Sequence, residues 1–138
     1  PEAARIIATM ASALPNLWAF KERVGRAAEA GHHVQNGWGR WMRPDRSRAF
    51  TTAPGLSGQG WARDALAECQ LRLEQKGLGQ FIVLTVHDEL IFELPESHAV
   101  ELRDRIAEVM TFEVDGVPVL CKTSHLGKRW SDCYREEV

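Results

Sequence analysis

Apolar residues recur at helical spacing in four stretches of this chain and gather into short strand-like runs between them. The Ala- and Ile-rich stretch Glu2 to Met10 reads as the end of a helix. Pro15 suits the first turn of a second helix, with Leu17, Phe20, Val24, Ala27 and Ala28 on one stripe and Gly31 as its stop. Asn36, Gly37 and Gly39 predict a turn between two short strands, ended by Pro44. The stretch APGLSGQG, Ala53 to Gly60, reads as a glycine-rich loop. A third helix follows, with Ala62, Ala65, Leu66, Cys69 and Leu73 facing a core and Gly77 closing it. FIVLTV (Phe81 to Val86) and LIFEL (Leu90 to Leu94) read as strands. Pro95 and Glu96 open a fourth helix whose buried face is Ala99, Leu102, Ile106, Val109 and Met110. After Gly116, VPVLCKT reads as a last strand. The order α, α, β-hairpin, α, β, β, α, β defines an α+β chain with an antiparallel core.

His87, Asp88 and Glu89 interrupt the two most apolar strands. FIVLTV and LIFEL are apolar enough that at least one face should be buried. Charges inside such a pair would cost several kcal/mol, so the polar residues belong at the turn. A tight turn would hold His87 and Asp88 at the tip of a rigid hairpin, where reactive groups are positioned accurately. Neighbouring strand residues point to opposite faces, which separates Asp88 from Glu89. A lone carboxylate is a poor cation site. Mg²⁺ is commonly held by one or two carboxylates with water and substrate phosphates, and two-metal chemistry needs a further carboxylate. On spacing alone, a plain polar turn remains open beside a functional one.

Composition adds a local signal. The net charge of −2 gives no global mark of a nucleic-acid binder. From Lys21 to Arg48, however, seven basic residues stand against three acidic ones, a segment of +4 beside an acidic remainder. Such a segment suits an anion-facing surface, and equally an unevenly charged solvated one. The three cysteines, Cys69, Cys121 and Cys133, are far apart and lack zinc spacing, which suggests free thiols in a reducing, cytoplasmic compartment. No apolar run reaches the ~18 residues of a membrane span, and no signal peptide opens the chain. HDEL at His87 to Leu90 is internal and is therefore not a retention signal. A first residue of Pro rather than Met suggests a fragment or a processed product.

Taken together, these motifs resemble family A DNA polymerases, the bacterial DNA polymerase I type and its phage relatives. Val86-His87-Asp88-Glu89 before an apolar strand is similar to motif C of that family. Gly39-Arg40 with Pro44 resembles its G-R hairpin, and Arg48 the arginine of its R-x-x-x-N segment. Gln59-Gly60 with Asp64 resembles its Q-G-x-A-x-D helix start, and Gly127 to Trp130 its G-x-x-W. The motifs agree in order and spacing from about Pro15 to Ser131.

The resemblance implies a β-hairpin-centred palm sheet packed on helices, as a fragment of the polymerase right-hand fold. Residues 1–50 would be end-of-fingers helices and the basic hairpin, and 51–138 a palm segment. It implies template-directed DNA synthesis with two Mg²⁺ ions, primer-template DNA and deoxynucleoside triphosphates. Asp88 would bind metal, and Glu89 would be an auxiliary acid near the primer end. His87 would contact the primer terminus. Gln59 and Arg48 would touch the minor groove and backbone, and Arg40 the DNA backbone. Gln59 as a helix cap, the arginines as a solvated face, and Trp38 and Trp41 as packing residues are the plainer alternatives.

The sequence departs from the family in two respects. Thr52 stands where the family has asparagine, followed by a longer stretch containing Gly55 and Gly58. The family's D-Y-S-x-I-E and R-x-x-x-K-x-x-x-F-G motifs are not found. The chain alone is therefore expected to be inactive, completed either by the missing N-terminal part of the polymerase or by a partner chain of a split enzyme. A non-catalytic DNA-binding or assembly module is the alternative. A nuclease using His87 and Asp88 fits less well, because no clustered second and third carboxylate is in place.

Overall fold

A computed structural model describes residues 2–134. Pro1 and residues 135–138, at the outer ends of the expected segments 1–50 and 51–138, lie outside the described residues. The elements are α1 (Glu2–Ala13), α2 (Pro15–Glu29), β1 (Val34–Gln35), β2 (Trp41–Met42), α3 (Ala49–Gln75), β3 (Ile82–Val86), β4 (Glu89–Phe92), α4 (Ala99–Met110), β5 (Phe112–Val114) and β6 (Val117–Val119). Short 3-10 turns precede α3, β3 and α4, and another spans Trp130–Tyr134. The chain divides into two units, Pro1–Ala62 and Arg63–Val138, with the boundary inside α3.

The architecture is α+β. Among the described residues, its strands pair as three antiparallel hairpins, β1-β2, β3-β4 and β5-β6. Sequence reading missed β5. The signal was present, because Asp115-Gly116 is a favoured two-residue hairpin turn, and both residues adopt positive φ, 49° and 78°. The expected last strand is correspondingly shorter, ending at Val119.

In the first unit, α2 starts with Pro15 in its first turn and ends at Gly31, whose φ is 88°. Gly31 N–H donates to the Ala28 carbonyl and His32 N–H to the Ala27 carbonyl, a Schellman closure that only a residue tolerant of positive φ allows easily. The Arg46 guanidinium also donates to the Glu29 carbonyl, at 3.2 and 3.3 Å. The core here is built from small residues. Ala28, Val34, Ala49 and Ala53 are buried together, with Val24 and Met42 against them.

This small-residue core overturns the expected loop at Ala53 to Gly60. The whole stretch is helical and belongs to α3. Ala49, Ala53 and Ser57 recur at four-residue spacing and are all buried. Burying that face outweighs the weak helix propensity of Pro54, Gly55 and Gly58. Gly60 lies so close to β2 that an added Cβ would sit 2.9 Å from the Met42 sulfur, whereas Gly55 and Gly58 face open space. Gln59 therefore lies well inside α3, and the reading of it as a helix cap is excluded.

In the second unit, α3 closes with a second Schellman motif. Leu78 N–H donates to the Leu73 carbonyl at 2.8 Å and Gly77 N–H to the Glu74 carbonyl at 3.0 Å. Leu73 and Leu78 pack with Ile106 in one buried cluster. Phe81, Ile82, Leu90, Phe92, Leu94, Leu102, Val109 and Met110 pack around it. Of the expected α3 stripe, Ala65, Leu66, Cys69 and Leu73 are buried while Ala62 is exposed. The β3-β4 hairpin is less enclosed than its composition suggests. Val83 and Leu84 remain 55% and 47% exposed, next to a register irregularity between Ile82 and Leu84.

Two stability outcomes follow. Gly55→Ala and Gly58→Ala should each stabilise the chain by about 1 kcal/mol in urea unfolding, because both sit in helix with room for a methyl group. No gain at either position would contradict the helix at 53–60. Leu73→Ala should cost about 3 kcal/mol, as expected for a fully buried leucine.

Candidate functional site: an acidic hairpin tip and a basic segment

The β3-β4 register pairs Val86 with Glu89, leaving His87 and Asp88 as a two-residue turn. Apolar residues on both strands hold the hairpin against the Leu73–Leu78–Ile106 cluster, so its tip is carried by a packed base. His87 adopts a φ of 51°, in the left-handed region. Histidine is among the residues found there more often than most, but the conformation still costs energy relative to glycine. His87, Asp88 and Glu89 are all exposed. The structure thus brings these three expected site residues together at one turn.

Glu89 has a partner that sequence reading did not find. Its Oε2 accepts a hydrogen bond from the Tyr134 hydroxyl at 2.5 Å. The Tyr134 oxygen in turn accepts from Trp130 Nε1 at 3.0 Å, and the two rings lie 6.4 Å apart at 53°. The hydrogen bond to the Glu89 carboxylate raises the Tyr134 pKa above its ordinary value. No local sequence pattern points to this contact, since 45 residues separate the two side chains.

The remaining expected residues lie in the first unit. Asn36 Oδ1 accepts from the backbone N–H groups of Trp38 and Arg40, both at 3.0 Å, and so shapes the β1-β2 turn that carries Arg40. Arg48 sits at the end of the 3-10 turn before α3, its carbonyl accepting from the hydroxyls of Thr51 and Thr52 at 2.9 Å. The Thr52 hydroxyl is therefore turned back onto its own helix. Arg40, Arg48 and Gln59 are exposed on three successive elements. Several other cations of the basic segment are engaged locally. Arg26 pairs with Glu22 at 2.6 Å, Lys21 lies 4.6 Å from the Trp18 ring centre, and Arg46 caps α2. Trp38 packs on Trp61 with ring centres 6.0 Å apart, whereas Trp41 is 67% exposed. A groove of about 600 Å³, lined mainly by apolar residues of α1, α2 and α3 such as Met10, Trp18 and Trp61, also lies in this unit.

Among the described residues, no group of three or more His, Cys, Asp or Glu could hold a metal ion. Asp88 and Glu89 supply the hard oxygen donors that Mg²⁺ prefers, but as a partial set. No described helix is long and apolar enough to cross a membrane. Cys69, Cys121 and Cys133 are free thiols.

Tyr134 is the single tyrosine of the sequence, so its ionisation can be read directly from ultraviolet absorbance. Its titration should be displaced above the ordinary tyrosine value and return toward it in Glu89→Ala. A raised folded-state pKa means the link is intact below the ordinary tyrosine value and is lost as pH rises through the raised one. An identical midpoint in both proteins would contradict the contact. His87→Gly should leave stability unchanged or slightly higher, while His87→Val should lose about 1–2 kcal/mol, because a β-branched residue tolerates positive φ poorly.

The family described as DNA polymerase family A matches residues 1–132. The chain is 30% identical over 124 residues to the DNA polymerase of Mycobacterium phage D29, covering 88% of this chain and 20% of that protein. It is 27% identical over 136 residues to the DNA polymerase of Mycobacterium phage L5, covering 97% of this chain and 22% of that protein. It is 36% identical over 78 residues to DNA polymerase I of Helicobacter pylori, covering 54% of this chain and 9% of that protein. The chain thus spans about a fifth of the length of the phage relatives. No solved structure matches it.

Proposed function

The chain belongs to DNA polymerase family A, and from that membership we propose that it forms part of the polymerising centre and the primer-template contacts of such an enzyme. The observation that carries this reading is the placement of His87, Asp88 and Glu89 on one packed hairpin turn. Residues 1–50 would then be the end of the fingers with the basic hairpin, and 51–138 a palm segment.

Asp88 is the residue proposed to hold a catalytic Mg²⁺. A bound metal would supply positive charge that favours displacement of pyrophosphate from a deoxynucleoside triphosphate by the primer 3′-hydroxyl. The chain's own residues orient the reactants. His87 would contact the primer terminus, and Glu89 would serve as an auxiliary acid beside it. Arg48 and Gln59 are assigned to the template-primer backbone and minor groove, and Arg40 to backbone phosphates. Phosphate contacts position a duplex without reading its sequence, and the degenerate minor groove suits an enzyme that must accept any template. The Thr52 hydroxyl, bonded to the Arg48 carbonyl, is not assigned to DNA.

Two-metal phosphoryl transfer needs at least one further carboxylate. That carboxylate would come from the rest of a longer or assembled polymerase, and the chain alone would have no polymerising activity.

In a polymerase that contains this chain, Asp88→Ala should abolish Mg²⁺-dependent primer extension while primer-template affinity stays within about threefold. Extension at the unmutated rate would sink the catalytic assignment. Arg48→Ala should weaken duplex binding and lower the salt slope by about one, as expected for a lost phosphate contact. An unchanged salt slope would remove Arg48 from the DNA surface.

A further inference from the structure

We propose that Tyr134, held by Trp130, is a positioning residue for nucleotidyl transfer that fixes the Glu89 carboxylate beside the catalytic turn. The inference rests on the polymerase reading above and adds a residue to it.

An indole N–H can only donate, and a phenol has one proton to give. Because Trp130 donates to the Tyr134 oxygen, the Tyr134 proton is left to point at Glu89 Oε2. The relay has one direction, and its end is an acceptor carboxylate. Glu89 is the first residue of β4, directly after Asp88. A glutamate there would otherwise sample many rotamers in water.

The segment that supplies the relay is itself tightly folded. A Cβ on Gly127 would lie 2.6 Å from the Asp132 Cβ, so only glycine allows that approach. Arg129 N–H donates to Asp132 Oδ2 at 3.2 Å, and Asp132 N–H to the Arg129 carbonyl at 2.9 Å. This closes the turn that sets Trp130 and Tyr134 four residues apart and in contact. The G-x-x-W pattern thus acquires a physical role: the glycine permits the turn, and the tryptophan aims the tyrosine. Tyr134 and Trp130 are 56% and 47% exposed. A hydrogen bond so open to water contributes little to folding. Its main effect is to restrict where the Glu89 carboxylate can be.

The test uses the complete polymerase with primer-template under single-turnover conditions. Tyr134→Phe should lower the maximal incorporation rate about tenfold, the order expected when one hydrogen bond to a charged group is lost. Affinities for primer-template and nucleotide should stay within about twofold, a split that general loosening of the fold would not give. Trp130→Phe, which keeps an aromatic ring but loses the indole N–H, should lower the rate in the same direction. Tyr134→Phe should add nothing in a Glu89→Ala background. A full rate in Tyr134→Phe, or an undiminished Tyr134→Phe loss on Glu89→Ala, would overturn the proposal. If Tyr134→Phe fails to fold, Trp130→Phe decides alone. Asp88→Ala serves as the control. Activity in that variant would overturn the polymerase reading and this inference with it, whereas its inactivity beside a fully active Tyr134→Phe would overturn the positioning role only.

Discussion

The β3-β4 hairpin can present a charged turn only because its base is packed against Leu73, Leu78 and Ile106. Ile82, Leu90 and Phe92 bury apolar surface there, and the register that buries them also places His87 and Asp88 at the turn. A slip of one residue would exchange the faces of the strands and move the acidic pair off the tip. The Schellman closure of α3 belongs to the same constraint, since it delivers Leu78 into the cluster and directs the chain into β3. The proposed chemistry therefore depends on a hydrophobic contact that touches no substrate.

The first unit meets a different requirement with different residues. Its core is made from small residues such as Ala28, Ala49 and Ala53, and glycines beside it admit neighbouring side chains closely. An added Cβ on Gly25 would meet the Phe50 ring at 2.8 Å, and one on Gly60 the Met42 sulfur at 2.9 Å. Small residues leave the surface to longer side chains, and the segment from Lys21 to Arg48 fills it with cations. Several of these are tied locally, as with Arg46 on the end of α2. A count of positive charge therefore overstates how much of it can face a duplex.

How far the sequence revealed this structure depends on which interactions are local. Helices α2 and α4 and the C-terminal half of α3 were legible because periodicity and glycine stops are short-range signals. The turn at His87-Asp88 was legible because buried charge is costly. The helix at Ala53 to Gly60 was not, because its glycines and proline argue locally for a loop and only the buried Ala49–Ala53–Ser57 face argues otherwise. Strand β5 was overlooked although Asp115-Gly116 marks its turn. The family motifs pointed to His87, Asp88 and Glu89, but the Tyr134–Glu89 contact spans 45 residues and leaves no local pattern.

A catalytic metal held at the hairpin tip would direct oxidative cleavage of the backbone beside it. Fe²⁺ would replace Mg²⁺ in the complete polymerase with primer-template and nucleotide bound, and peroxide would then cut the chain beside the metal. Cleavage is expected at the His87-Asp88-Glu89 turn and should disappear in Asp88→Ala. Cleavage confined to other parts of the polymerase, or cleavage at the turn that persists without the Asp88 carboxylate, would contradict it.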